Sequence, residues 1–182
     1  MKSAVPKIYR FKEIDSTNSA AFRYAAQGVP SGSVFVAEYQ THGRGRWGSK
    51  WLSPPGKNLL FSLLLRPKMK AHRAPGVTQL ACRSVAKVIQ RRLGVRPSFK
   101  RPNDILVGGK KVCGLLVEAK GRANGNLECL VIGIGLNVNA SPEEFAEEAT
   151  SLLAVTGAKQ PRQALFKGLL RQLRKDLKGW WE

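Results

Sequence analysis

One short stretch, His42-Gly43-Arg44-Gly45-Arg46-Trp47-Gly48-Ser49-Lys50-Trp51, gathers several residue types that bind anions. Arg44 and Arg46 place two guanidinium groups two residues apart, and a guanidinium grips phosphate or carboxylate through paired hydrogen bonds. The interleaved Gly43 and Gly45 let the backbone come close to a ligand. Trp47 and Trp51 add rings that can close over a ligand or stack on a base. A loop this long and glycine-rich is expected to stay mobile until an anion orders it. Read alone, the stretch fits a lid over a small anion, an arginine–glycine contact to nucleic acid, or a merely solvated loop.

Other segments carry polar groups with ordinary structural alternatives. Asp15-Ser16-Thr17-Asn18 offers hydroxyls and an amide, and the same residues are helix caps. Lys111, in Gly108-Gly109-Lys110-Lys111-Val112-Cys113-Gly114, reads by itself as a hairpin lysine, and Gly114 as plain sheet packing. The three cysteines, Cys82, Cys113 and Cys129, form no metal knuckle and read as reduced, buried thiols. Two histidines are too few for a convincing metal site. The balance of 31 basic against 12 acidic residues, +19 overall, implies an anionic partner without choosing one, and a generally basic surface explains it equally well.

These groups must be held by a small set of elements. Residues 7–14 read as a strand, followed by an alanine-rich helix that ends at Gln27-Gly28. Residues 33–40 form a second strand, 41–56 a loop, and 57–66 an apolar strand. Val77, Leu80, Ala81, Val85, Val88, Ile89 and Leu93 recur at helical spacing up to Gly94, so this helix should lie on the sheet. Residues 98–101 and 105–107 are short strands, with Gly108-Gly109 turning into 111–119 as a hairpin. Asn124-Gly125 is another turn. Residues 127–138 are apolar on both faces, as befits a covered central strand. The last helix, about 161–181, stripes Leu165, Leu169, Leu173 and Leu177. The expected class is α+β (mixed α/β): one domain over residues 1–182, with helices packed on a largely antiparallel, mixed sheet. The longest apolar run is too short to span a bilayer and the start lacks a secretory signal, so a cytoplasmic location without membrane association is expected.

Taken in order, Asp15-Ser16-Thr17-Asn18, the GRGR loop, Lys100-Arg101-Pro102-Asn103-Asp104-Ile105, the Gly108–Glu118 segment and Gly133-Ile134-Gly135-Leu136-Asn137 resemble the biotin–protein ligase family over roughly residues 7–155. The resemblance implies the biotin–lipoate ligase catalytic fold, which is like that of class II aminoacyl-tRNA synthetases. It implies activation of biotin by ATP and Mg2+ to biotinyl-5′-adenylate, followed by transfer to a lysine of a biotin carboxyl carrier protein. By that resemblance Ser16, Thr17, Asn18, Gln40, Gly43, Arg44, Gly45, Arg46, Lys111 and Gly114 bind biotin. Arg46, Trp51, Asn103 and Asn137 contact the nucleotide. Lys111, Arg44 and Arg46 neutralise charge at the reacting carboxylate and α-phosphate, and Asp104 orders the site or assists magnesium. A homodimer is compatible with the resemblance.

The chain departs from the family's pattern at Arg101, where members commonly carry tryptophan, and at Ser49, where the loop usually has another arginine. Both bear on nucleotide contacts. No amino-terminal helix-turn-helix is expected, hence no specific DNA binding, and no carboxy-terminal SH3-like barrel. Two other readings remain: a lipoate ligase or octanoyltransferase of the same fold, and a nucleic-acid-binding module.

Overall fold

The computed structural model describes residues 7–145 and 148–181; the leading residues through Pro6, used above in judging the lack of a signal stretch, lie outside it. Strand β1 (Ile8–Ile14) leads into helix α1 (Thr17–Ala26), which crosses over to strand β2 (Val34–Gln40). Then come β3 (Leu59–Leu65), helix α2 (Pro75–Leu93), β4 (Ser98–Lys100), β5 (Asp104–Val107), β6 (Lys110–Gly121) and β7 (Leu127–Leu136). Short α3 (Leu152–Thr156) and α4 (Arg162–Asp176) follow. The strands form one sheet in the order β1-β2-β3-β7-β6-β5-β4. Only β1 and β2 pair in parallel, joined by the crossover through α1; every other pair is antiparallel. The mixed α+β class read from the sequence is the one found.

The sheet has a helix layer on each face. In β3, Leu59, Phe61, Leu63 and Leu65 join the larger core beneath α2 and α4, while Leu64 joins the smaller one beneath α1. Strand β7 is central, as its two-sided apolar sequence predicts. It ends two residues early: the Asn137 N–H still donates to Val112 O of β6, but the Val138 N–H turns to Asn58 Oδ1. The last helix also stops short of 181, with a single tight turn at Lys178–Trp180. Among the described residues no helix is long and apolar enough to cross a membrane.

Three features fix α1, whose first residues prove important. Ala20, Ala21 and Ala25 are buried and small enough for close approach to the sheet. Tyr9 stacks on Phe35 at 5.0 Å, and Tyr24 meets both rings edge-on. Arg66 caps the far end by donating to Val29 O and Ala25 O. At the near end Ser16 is the N-cap but makes no side-chain capping bond, contrary to the simplest reading of Asp15–Asn18. Asp15 instead takes a paired contact from Arg23, which holds its carboxyl below the ordinary value, at about 2.

Candidate active site

On the α1 side of the sheet, a cavity of about 590 Å3 opens between the start of α1, the end of β2, the 43–51 loop and strands β5 to β7. Ser16, Thr17 and Asn18 line it from α1, Gln40 from β2, Arg44, Gly45, Arg46 and Trp51 from the loop, and Asn103, Asp104, Lys111 and Gly114 from the β5–β6 hairpin. Gly43 is buried at the loop's base and faces a neighbouring groove. Asn137 stands apart from the lining. Its Nδ2 donates to Thr150 O and its backbone joins Val112 and Leu152, while its Oδ1 is buried without a partner.

Behind the cavity wall formed by Thr17, Asn18 and Gln40 lies a buried polar cluster around Ser62, the one polar residue of β3. Its Oγ lies 2.7 Å from Thr17 Oγ1 and 2.5 Å from Asn18 Oδ1. An amide oxygen only accepts, so the Ser62 proton goes to Asn18, and Thr17 donates to Ser62 or to Gln40 Oε1 at 3.0 Å. Gln40 Oε1 also accepts from the Thr17 N–H at 2.7 Å. Asn18 Nδ2 donates to Leu116 O and to Glu118 Oε2. Several short polar side chains are thus locked in one orientation inside an apolar frame, an arrangement suited to a compact neutral ring with both donors and acceptors.

The floor is glycine. A Cβ at Gly114 would sit 2.8 Å from Trp51 Cζ3, and one at Gly135 would overlap the indole outright. Trp51 can lie flat on β6 and β7 only because both positions lack side chains. Its Nε1–H is buried with no acceptor. Lys111 Nζ approaches the same ring at 5.3 Å and Asp104 Oδ1 at 2.9 Å. The Lys111–Asp104 contact is an ion pair at the cavity wall, and an ammonium has three protons, so the pair leaves donors for a second anion. Asn103 fastens this corner by donating to Leu115 O at 2.8 Å and accepting the Leu115 N–H.

The loop is folded as a closed turn. Gly45 N–H donates to Ser49 O, Ser49 N–H and Oγ to Arg46 O, and Trp51 N–H to Gly43 O. Ser49 closes the turn through its bonds to Arg46 O and Gly45 N–H. The two arginines of the Gly-Arg-Gly-Arg stretch behave differently. Arg44 is anchored, donating to Ser19 Oγ at 2.7 Å and pairing with Glu118 at 3.0 Å. Arg46 has no ion-pair partner among the described residues and lies 5.1 Å over the Trp47 ring. Trp47 is 92% exposed at the tip, with φ 55°.

Ser62 and Glu118 carry roles that local sequence spacing does not reveal. A lone serine in the apolar run Leu59–Leu65 was the available signal for the first. The cysteines are buried and unpaired, and burial pushes Cys82 up to about 12 and raises Cys113 and Cys129 as well.

Residues 10–137 match the biotin/lipoate A/B protein ligase family. The chain belongs to that family. Among its biotin/lipoate ligase relatives, the bifunctional ligase/repressor BirA of Bacillus subtilis is 37% identical over 161 residues, covering 86% of this chain and 49% of that protein. The biotin–acetyl-CoA-carboxylase ligase of Mycobacterium tuberculosis is 34% identical over 91% of this chain and 62% of its own length. The biotin protein ligase from Aquifex aeolicus, solved in complex with biotin and ATP, superposes with a TM-score of 0.79 at 34% identity, covering 96% of this chain and 71% of that one. The chain therefore spans about half the length of the first of these ligase relatives.

Proposed function

We propose that this chain is the catalytic part of an ATP-dependent biotin–protein ligase. The observation that carries the reading is the pairing, in one cavity, of a locked polar cluster around Ser62 with a cationic end formed by Lys111 and Arg46. Biotin has the matching halves: a neutral ureido ring that both donates and accepts, and an acyl tail ending in a carboxylate. The ring takes Ser16, Thr17, Asn18 and Gln40. The tail runs along Gly114 and Trp51 and brings its carboxylate to Lys111.

In the first step a carboxylate oxygen attacks the α-phosphorus of ATP; the P–O bond to the β-phosphate breaks and pyrophosphate leaves. Lys111 and Arg46 face the negative charge that concentrates there, and catalysis is largely positioning and charge neutralisation. Trp51 and Asn103 are proposed on the nucleotide side; Asn137, with its side chain bonded to Thr150, would act there only by fixing the end of β7. Mg2+ would arrive on the phosphates. Asp104 is the one carboxylate lining the cavity among the described residues, so the chain offers at most one acidic ligand. In the second step the neutral amine of an acceptor lysine attacks the acyl carbon, and AMP departs. The expected acceptor is a biotin carboxyl carrier protein.

The test is incubation with ATP, Mg2+, a carrier domain and radiolabelled biotin, lipoate or octanoate. Biotinyl-adenylate and a biotinylated lysine are expected; preferential use of lipoate would transfer the assignment to the lipoate branch.

The anchoring of Arg44 sets up a second expected result. Arg44→Gly removes the contacts to Ser19 and Glu118 that tie the loop to α1 and β6. Bound adenylate should then dissociate about tenfold or more faster, the equivalent of losing one charge-assisted bond of about 1.5–3 kcal/mol. Retention measured by rapid filtration at the native rate would remove that role.

A further inference from the structure

Two helices that do not line the ligand cavity together carry nine basic residues and one acidic residue. Helices α2 and α4 pack side by side on the face of the sheet opposite the cavity. Arg83, Lys87, Arg91 and Arg92 are exposed on α2, three of them at successive four-residue steps. Lys167, Arg171, Arg174 and Lys175 are exposed on α4. The seam between the helices fixes their alignment: Lys87 pairs with Asp176 at 3.0 Å, Arg91 donates to Gln172 Oε1, and Arg92 lies close to Gly168. Asp176 is the only acidic residue in either helix. Arg83, Arg92, Lys167, Arg171 and Lys175 have no ion-pair partner among the described residues.

Like charges four residues apart on a helix are destabilising. Here the repeats Arg83/Lys87/Arg91 and Lys167/Arg171/Lys175 stand side by side with a single carboxylate between them. An external polyanion would relieve that repulsion. The apolar faces of both helices are already buried in the core, so nothing remains to insert into a lipid interface. Among the described residues the exposed large apolar side chains, Ile8, Trp47, Leu52 and Phe99, lie on neither helix, and Trp181, beside Arg174, is packed against the core, so the face offers no open stacking platform of the kind that holds single strands. What remains is a flat cationic ridge. From Lys167 to Lys175 it runs about 12 Å at the helical rise, and a duplex presents roughly one negative charge per 1.7 Å of axis.

We propose that the α2–α4 face is a docking surface for duplex nucleic acid, gripped through its phosphates without regard to sequence. The docked duplex lies across the sheet from the ligand cavity, leaving that cavity open. The inference does not rest on the ligase reading, and either can fail alone.

The test is anisotropy of a fluorescent, mixed-sequence DNA duplex titrated with the full chain over a range of salt. Native protein should bind at low salt and weaken steeply as salt rises. The Lys167→Gln/Arg171→Gln/Lys175→Gln variant should lose about tenfold or more in affinity, and its salt slope should become shallower by roughly 0.9 for each contact removed. Arg83→Gln/Arg92→Gln, on the other helix, should weaken binding in the same sense. Melting temperatures at or above the native value show that both variants are folded. Several outcomes overturn the proposal: native-like binding by both variants, displacement of the duplex by biotin with ATP, equal or tighter binding of a single strand, or binding of phosphatidylglycerol vesicles in place of the duplex.

Discussion

Lys111→Ala is expected to slow pyrophosphate release from ATP and biotin by about 10²- to 10³-fold, the cost of removing one oriented charge from a site where charge develops. The ammonium is held between the Trp51 ring and Asp104, and its three protons exceed what one carboxylate contact uses. Its backbone is fixed separately: the Lys111 N–H donates to Glu148 O, and its carbonyl accepts from the Thr150 N–H. The strand should therefore stay in place when the side chain is cut back, and biotin should still raise the melting temperature. The variant also leaves Asp104 beside the phosphates without its counter-charge, which adds to the effect. Lys111→Arg restores the charge but not the compact ammonium, and should recover only part of the rate. Pyrophosphate release within about threefold of native for Lys111→Ala would show that this lysine is not where the charge is met.

Gly135→Val is the second large effect expected. The new side chain would enter the space of the Trp51 indole, and the indole has no slack, resting on β6 and β7 at once. Gly135 faces the cavity, so the added volume should displace Trp51 while the core of β7 survives, at an overpacking cost of about 1–3 kcal/mol. Losing the floor beneath the tail and the wall beside the nucleotide should weaken biotin and ATP together, by about tenfold to a hundredfold each, that is, about 1.4–2.7 kcal/mol. Calorimetric titration of each ligand, with a melting curve as the fold control, reads the result. Native affinity for both would mean that the ligands bind clear of the Trp51 floor.

The parts legible in the sequence are those governed by neighbours along the chain. Apolar runs and helical spacing gave the strands and helices because burial of one face or both leaves a local period. The Gly-Arg-Gly-Arg stretch was visible because loop chemistry is written in consecutive residues. What escaped is set by contacts across the chain. Arg44 and Arg46 are indistinguishable in sequence, yet one is anchored by Ser19 and Glu118 and the other lies over Trp47 with no ion-pair partner among the described residues. Ser62 reads as a break in an apolar strand until α1 is laid over it. Ser16 reads as a cap, but the cavity takes the place of the capping bond. Asn137 fits the order of motifs, while its side chain turns toward Thr150 and away from the cavity.

The dispersal of the lining has a consequence for how the molecule matures. Its residues come from Ser16 through Gly135, and the central ladder joins β3 to β7 across most of that span. No segment released early in synthesis holds both the polar cluster and the lysine, and closing such distant pairs is a late, slow event in folding. If the cavity makes a reactive anhydride, a half-folded chain makes none, so the hazard of a stray acylating agent begins only when the loop that contains it is already in place.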